Sequence, residues 1–122
     1  MEKPKINSMK TILVFFSLCL LAVPLCVQAH PKLIKTEPVA DSIVEAATGV
    51  SLSFNQDVRL LRFSVTSENG TELDSDFVRQ AKNKKDYLIV VDNMVKGKFT
   101  VTASVIGADG HPVSRSFSFT VE

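Results

Sequence analysis

The 122-residue chain predicts an all-β fold, an Ig-like sandwich of about seven strands, on three observations. Apolar and polar residues alternate over most of its length. Turn-forming pairs break that alternation at regular intervals. Beyond the first thirty residues, no stretch carries the long 3.6-residue period of an amphipathic helix.

The elements follow in chain order. Leu33-Ile34-Lys35-Thr36-Glu37-Pro38 is short and ends in proline, which suits an edge strand. Val50-Ser51-Leu52-Ser53-Phe54-Asn55 alternates cleanly. So do Leu61, Phe63 and Val65 against Arg62, Ser64 and Thr66, a pattern that buries one face of a strand. Asn69-Gly70 marks a turn. Asp74 to Lys85 is ambiguous, because Phe77, Val78 and Ala81 fit one turn of helix or an irregular edge. Tyr87-Leu88-Ile89-Val90-Val91 is a continuous apolar strand. After Lys96-Gly97, Phe99, Val101, Ala103 and Val105 alternate with threonine and serine. Asp109-Gly110 then turns the chain into a last strand with Phe117, Phe119 and Val121 on one side.

The first 29 residues read as a secretory signal. Lys3, Lys5 and Lys10 precede an apolar stretch from Thr11 to Val27, and Val27-Gln28-Ala29 places small residues at positions −3 and −1 of a cut before His30. Met9 serves equally well as the start. The alternative is an uncleaved anchor, but the stretch is only about 17 residues and is broken by Pro24, at the short limit for a membrane span. Neither Cys19 nor Cys26 has the setting of a lipoprotein cysteine. The expected organisation is therefore a signal peptide over 1–29 and one exported domain over 30–122.

Processing changes the composition. Both cysteines leave with the signal, so the mature chain has neither a disulfide nor a thiolate ligand. Three lysines and one glutamate also leave, and the 93 residues that remain carry 11 basic and 12 acidic side chains, net −1. With no basic patch or stripe, nucleic-acid binding is not indicated. The length suits one small domain with a core of its own, read as a monomer.

Only two histidines occur in the chain. After cleavage, His30 carries the free α-amine and offers two nitrogens, the amine and ring Nδ1, in a six-membered chelate. That chelate needs no amide from the next residue, so Pro31 is compatible with it. Asp109-Gly110-His111 offers an oxygen and a third nitrogen from one turn. Three nitrogens and a carboxylate oxygen suit tetragonal Cu(II), and the lack of thiolate or clustered methionine disfavours Cu(I). Taken alone, Asp-Gly is also an ordinary hairpin turn. The alternating phenylalanines are read as core, and Lys82-Asn83-Lys84-Lys85 as a solvated turn.

From His30 onward the chain resembles the CopC family of periplasmic copper-resistance proteins (CopC/YobA-like). The resemblance rests on His30 with Leu33, Glu37-Pro38-Val39-Ala40-Asp41-Ser42, Val50-Ser51-Leu52-Ser53-Phe54 and Glu68-Asn69-Gly70. It continues through Lys96-Gly97-Lys98-Phe99-Thr100-Val101, Ala108-Asp109-Gly110-His111-Pro112-Val113 and Phe117-Ser118-Phe119. It implies a Greek-key sandwich binding one Cu(II) ion through His30, Asp109 and His111. It also implies a CopD-like inner-membrane partner. Three departures stand out. Met94 is the sole mature methionine, so the Met-rich Cu(I) site of some members is missing. Ala103 lies about where members often have tryptophan. Arg115 replaces a usual glycine after the motif, which bears on the shape of that loop.

The function expected is sequestration or carriage of copper, by coordination and not by turnover. Two other classes stand beside it. An amino-terminal histidine brace also serves oxidative copper enzymes, although this domain is small, shows no flat aromatic face, and sets a carboxylate where oxygen must bind. A metal-free Ig-like interaction module is the third reading.

Overall fold

The computed structural model describes residues 30–122. The signal segment, its two cysteines and the anchor alternative lie outside the described residues. Six strands form, and no helix is present among the described residues. They are β1 (Leu33–Glu37), β2 (Ile43–Val44), β3 (Gly49–Ser67), β4 (Lys84–Val90), β5 (Gly97–Ile106) and β6 (Pro112–Val121).

The expected count of about seven is corrected by β3. The Val50–Asn55 and Leu61–Thr66 runs, read as two strands, are one strand of 19 residues. Its first half pairs antiparallel with β1 and β4, from Glu37↔Ser51 to Leu33↔Phe54 and from Gly49↔Val90 to Ser53↔Asp86. Its second half pairs antiparallel with β5, from Arg59↔Ile106 to Ser67↔Phe99. β5 continues to β6 over ten register pairs, and β2 closes that sheet by a parallel pairing with β6. The two layers of the sandwich thus share β3, and the apolar faces meet between them.

Sharing one strand requires a bend, and the bend has a cost: backbone groups lose ladder partners where the layers diverge. Tyr87 meets that cost. Its hydroxyl donates to the Val58 carbonyl at 2.6 Å and accepts from Leu60 N–H at 3.3 Å, both in the interior. Its ring packs edge-on against Phe54. The sequence placed Tyr87 first in its strand; β4 begins three residues earlier, at Lys84, and Tyr87 is buried within it and also holds the bend.

A second irregularity lies just beyond. The β3–β5 register slips between Leu60 and Arg62, so Leu61 is the extra residue of a bulge. The side-chain phase changes there: Leu60 and Phe63 are buried, whereas Leu61 lines an outer groove with Arg62, Thr102 and Ser104. The alternation had placed Leu61 inward. One inserted residue reverses the face of its neighbours, which period-2 counting cannot detect.

Seventeen apolar side chains are buried, and no polar or charged residue joins them among the described residues. Phe119, Leu52, Leu60 and five valines of β3 and β5 are shut off almost completely. At about 25 cal/mol per Å² of apolar surface, such a core needs no crosslink to stabilise a domain of this size. The ambiguous segment takes the irregular alternative from Asp74 to Asn83, whereas Lys84 and Lys85, read as part of a solvated turn, open β4 because their backbone joins the β3 ladder. The irregular part lies along β4, with Asp76 N–H donating to the Val90 carbonyl and Asp76 Oδ1 accepting from Val90 N–H. Phe77 tilts against Phe63 over the end of the core.

Candidate metal centre

The Asp109 turn is built from local rules. β5 ends at Ile106 and β6 begins at Pro112. Gly110 N–H donates to the Gly107 carbonyl at 3.2 Å, closing a tight turn. Asp109 Oδ1 then accepts from His111 N–H at 3.1 Å, the side-chain turn that aspartate favours. Gly110 sits at φ +74°, a conformation glycine takes without steric penalty.

The segment that carries His30 is fixed by distant residues instead. Lys32 N–H donates to Asn55 Oδ1 at 2.9 Å, and Asn55 N–H returns a bond to the Lys32 carbonyl at 3.0 Å. Both bonds extend the β1–β3 pairing by one step toward the chain start. Pro31 is buried. Its ring lies against Gly107, where a Cβ would stand 3.3 Å from Pro31 Cδ and 3.0 Å from Gln56 Oε1. Arg115 Nη2 donates to the Pro31 carbonyl at 3.4 Å. The edge-strand reading of β1 therefore holds, and the pairing gives the segment before it a definite place.

These two pieces bring His30 and Asp109 together. His30 Nδ1 stands 2.9 Å from Asp109 Oδ2, with the imidazole 58% exposed and the carboxylate 17% exposed. The pair has the distance of an ion pair without the alignment of a hydrogen bond, and Oδ2 is buried with no hydrogen-bond partner. A buried, unbonded carboxylate oxygen is unfavourable by about 1–3 kcal/mol or more unless something else satisfies it. His111 is exposed on the same turn and contacts Asp109 through its backbone N–H. Its side chain does not complete a cluster: among the described residues, no group of three His, Cys, Asp or Glu stands close enough to hold a metal. Of the three expected ligands, two meet and the third is placed beside them.

Sequence reasoning passed over the residues that hold the His30 segment. Asn55 was read only as the polar end of a strand, and Pro31 only as a residue without an N–H. Arg115 carried a visible signal. It falls on the same side of β6 as Val113, Phe117, Phe119 and Val121, so a cation interrupts an otherwise apolar phase. Met94, the only methionine of the described residues, is buried in the core, 5% exposed and away from the surface.

Comparison with known proteins adds three findings. The model of the CopC domain matches residues 33–122. The fold matches CopC from Methylosinus trichosporium OB3b with a TM-score of 0.65 and 24% identity, over 76% of this chain and 94% of that one. It also matches PcoC, a methionine-rich copper resistance protein from Escherichia coli, with a TM-score of 0.61 and 23% identity, over 77% of this chain and all of that one. A selenomethionine form of PcoC gives 0.62 at 21% identity, over 75% of this chain and 99% of that one. Comparison with curated protein sequences gave no match. The match spans nearly the whole of each of those structures.

Proposed function

The chain belongs to the CopC family, and from that premise we propose that it binds one Cu(II) ion at the His30–Asp109 end of the sandwich. It holds or carries the ion in the periplasm and does not catalyse a reaction. The observation that carries this reading is the pair of donor atoms 2.9 Å apart, one of them an unbonded carboxylate oxygen. Two donors each about 2.0 Å from an ion, at right angles to each other, stand about 2.8 Å apart. The pair therefore has the spacing of neighbouring corners of a tetragonal site, and an ion there gives Oδ2 a partner where no hydrogen bond supplies one.

In this reading, cleavage after Ala29 frees the His30 amine, which closes a chelate with Nδ1. Asp109 Oδ2 supplies the oxygen, and the exposed imidazole of His111 supplies the remaining nitrogen from the same turn. Met94 is unsuited to a Met-rich Cu(I) site, since it is single and buried. The half-exposed His30 leaves the ion open to exchange with a membrane partner of the CopD type. Protonation of the amine and imidazoles competes with the metal, so affinity falls as the pH is lowered.

The test is a Cu(II) titration of the chain that begins at His30, followed by electron paramagnetic resonance. The expected result is an axial type-2 signal that saturates at one equivalent. If the titration shows no stoichiometric uptake, the copper reading is lost. Oxygen consumption with a reductant and a polysaccharide checks the enzyme alternative, for which no turnover is expected.

A further inference from the structure

We propose that Arg115 is a positioning residue for the metal end: a clasp that holds the His30 segment in place and so sets how slowly copper leaves. The inference rests on the copper reading above, but its structural half is independent of any metal.

The clasp is visible in three features. First, Arg115 lies in the inward phase of β6, and its register partner on β5 is Ala103, which is buried. A small neighbour leaves room for the side chain to reach toward Pro31, while Arg115 as a whole stays exposed. Second, the guanidinium spans the two layers. Nη1 donates to the Ser114 carbonyl on β6 at 3.2 Å, and Nη2 donates to the Pro31 carbonyl at 3.4 Å. Pro31 leads directly into β1, in the opposite layer. Third, Pro31 is the residue next to His30 and is itself pinned on Gly107, which accepts the turn bond from Gly110. Arg115 thus tightens the one segment that must be still for His30 Nδ1 to stay beside Asp109 Oδ2.

Planar guanidinium with several donors suits this bridging better than ammonium does, because it serves two carbonyls in a fixed geometry. The same charge has an opposite influence on a bound cation. A positive group one residue from His30 repels Cu(II), so loss of charge alone slows copper release. Loss of the clasp speeds it, because an unfixed chain end no longer presents a preorganised ligand. The sign of the change separates the two effects.

Three chains beginning at His30 decide the matter: unchanged, Arg115→Met and Arg115→Lys. Methionine keeps the apolar stem and removes the donors. Each metal-free chain is followed by hydrogen exchange at the Lys32 and Asn55 amides. Each chain given one equivalent of Cu(II) is followed by spin resonance and by the rate of copper loss to excess chelator. For Arg115→Met we expect exchange at Lys32 and Asn55 to speed up about 10-fold, copper loss to speed up about 10-fold, and the copper spectrum to broaden. Exchange in the β5 core stays as it was. Arg115→Lys falls between the other two. Unchanged exchange and unchanged copper loss in Arg115→Met overturn the clasp, and so does slower copper loss, which means that charge dominates. If the unchanged chain takes up no copper, the copper reading fails by itself, and exchange at Lys32 and Asn55 still decides whether Arg115 holds the segment.

Discussion

The two halves of the proposed metal end are made in different ways. The Gly107–His111 turn closes on itself, through Gly110 N–H to Gly107, His111 N–H to Asp109 Oδ1, and a glycine at positive φ. The His30 segment closes on nothing of its own. Asn55, Gly107 and Arg115 hold it, residues 25, 77 and 85 positions further along the chain than His30. The turn is a local device, closed by its own hydrogen bonds. The segment depends on the assembled sandwich, and that dependence makes it the weaker half.

Four changes test this contrast. The largest effect is expected from one residue added ahead of His30. It displaces the amine while leaving every described contact in place, so copper affinity falls by more than the ~100-fold typical of lost supporting groups. Calorimetric titration measures it, and near-normal affinity means that the amine is no ligand. Asp109→Asn comes next. Asparagine keeps the acceptor for His111 N–H, so the turn survives and Tm moves by less than about 4 °C. Copper affinity nonetheless falls about 100-fold, because the charged oxygen is gone. A large loss of Tm in that variant shows the carboxylate to be structural.

His111→Ala is expected to lower affinity about 10–100-fold with stability unchanged. Binding equal to the parent chain removes His111 from the site and leaves the two residues that meet. Asn55→Ala strips Lys32 N–H of its acceptor, at about 1 kcal/mol or a Tm drop of roughly 4–8 °C for a domain of this size. Its copper affinity falls only a few-fold, since Pro31 and Arg115 remain. Thermal melts with and without copper separate the two effects. An affinity loss as large as that of Asp109→Asn makes Asn55, and not Arg115, the principal anchor of the segment.

Much of the fold was legible because its determinants are periodic. Phe99, Val101, Ala103 and Val105 alternate and are buried; Phe119 and Val121 follow the same rule, with Phe117 half-buried at the end of the core. Two features were not legible. Leu61 obeys the alternation on paper yet faces outward, since a bulge shifts the phase and bulges leave no compositional mark. The fusion of two predicted strands into β3 was equally hidden. It depends on Tyr87, 27 residues beyond Leu60, reaching back to satisfy the bend.

The sequence by itself determined which atoms are available: two histidines and one Asp-Gly-His turn, with the cut that converts His30 into a chelating chain end belonging to the proposed reading. It also determined that the turn would form, because aspartate and glycine encode it within four residues. Only the tertiary structure decided that His30 and Asp109 meet, leaving Oδ2 buried without a hydrogen bond, while the His111 side chain stays apart. The reason is distance along the chain. Contacts between residues 79 positions apart, such as His30 and Asp109, are set by strand pairing and side-chain packing. No local rule written in the sequence near either residue contains them.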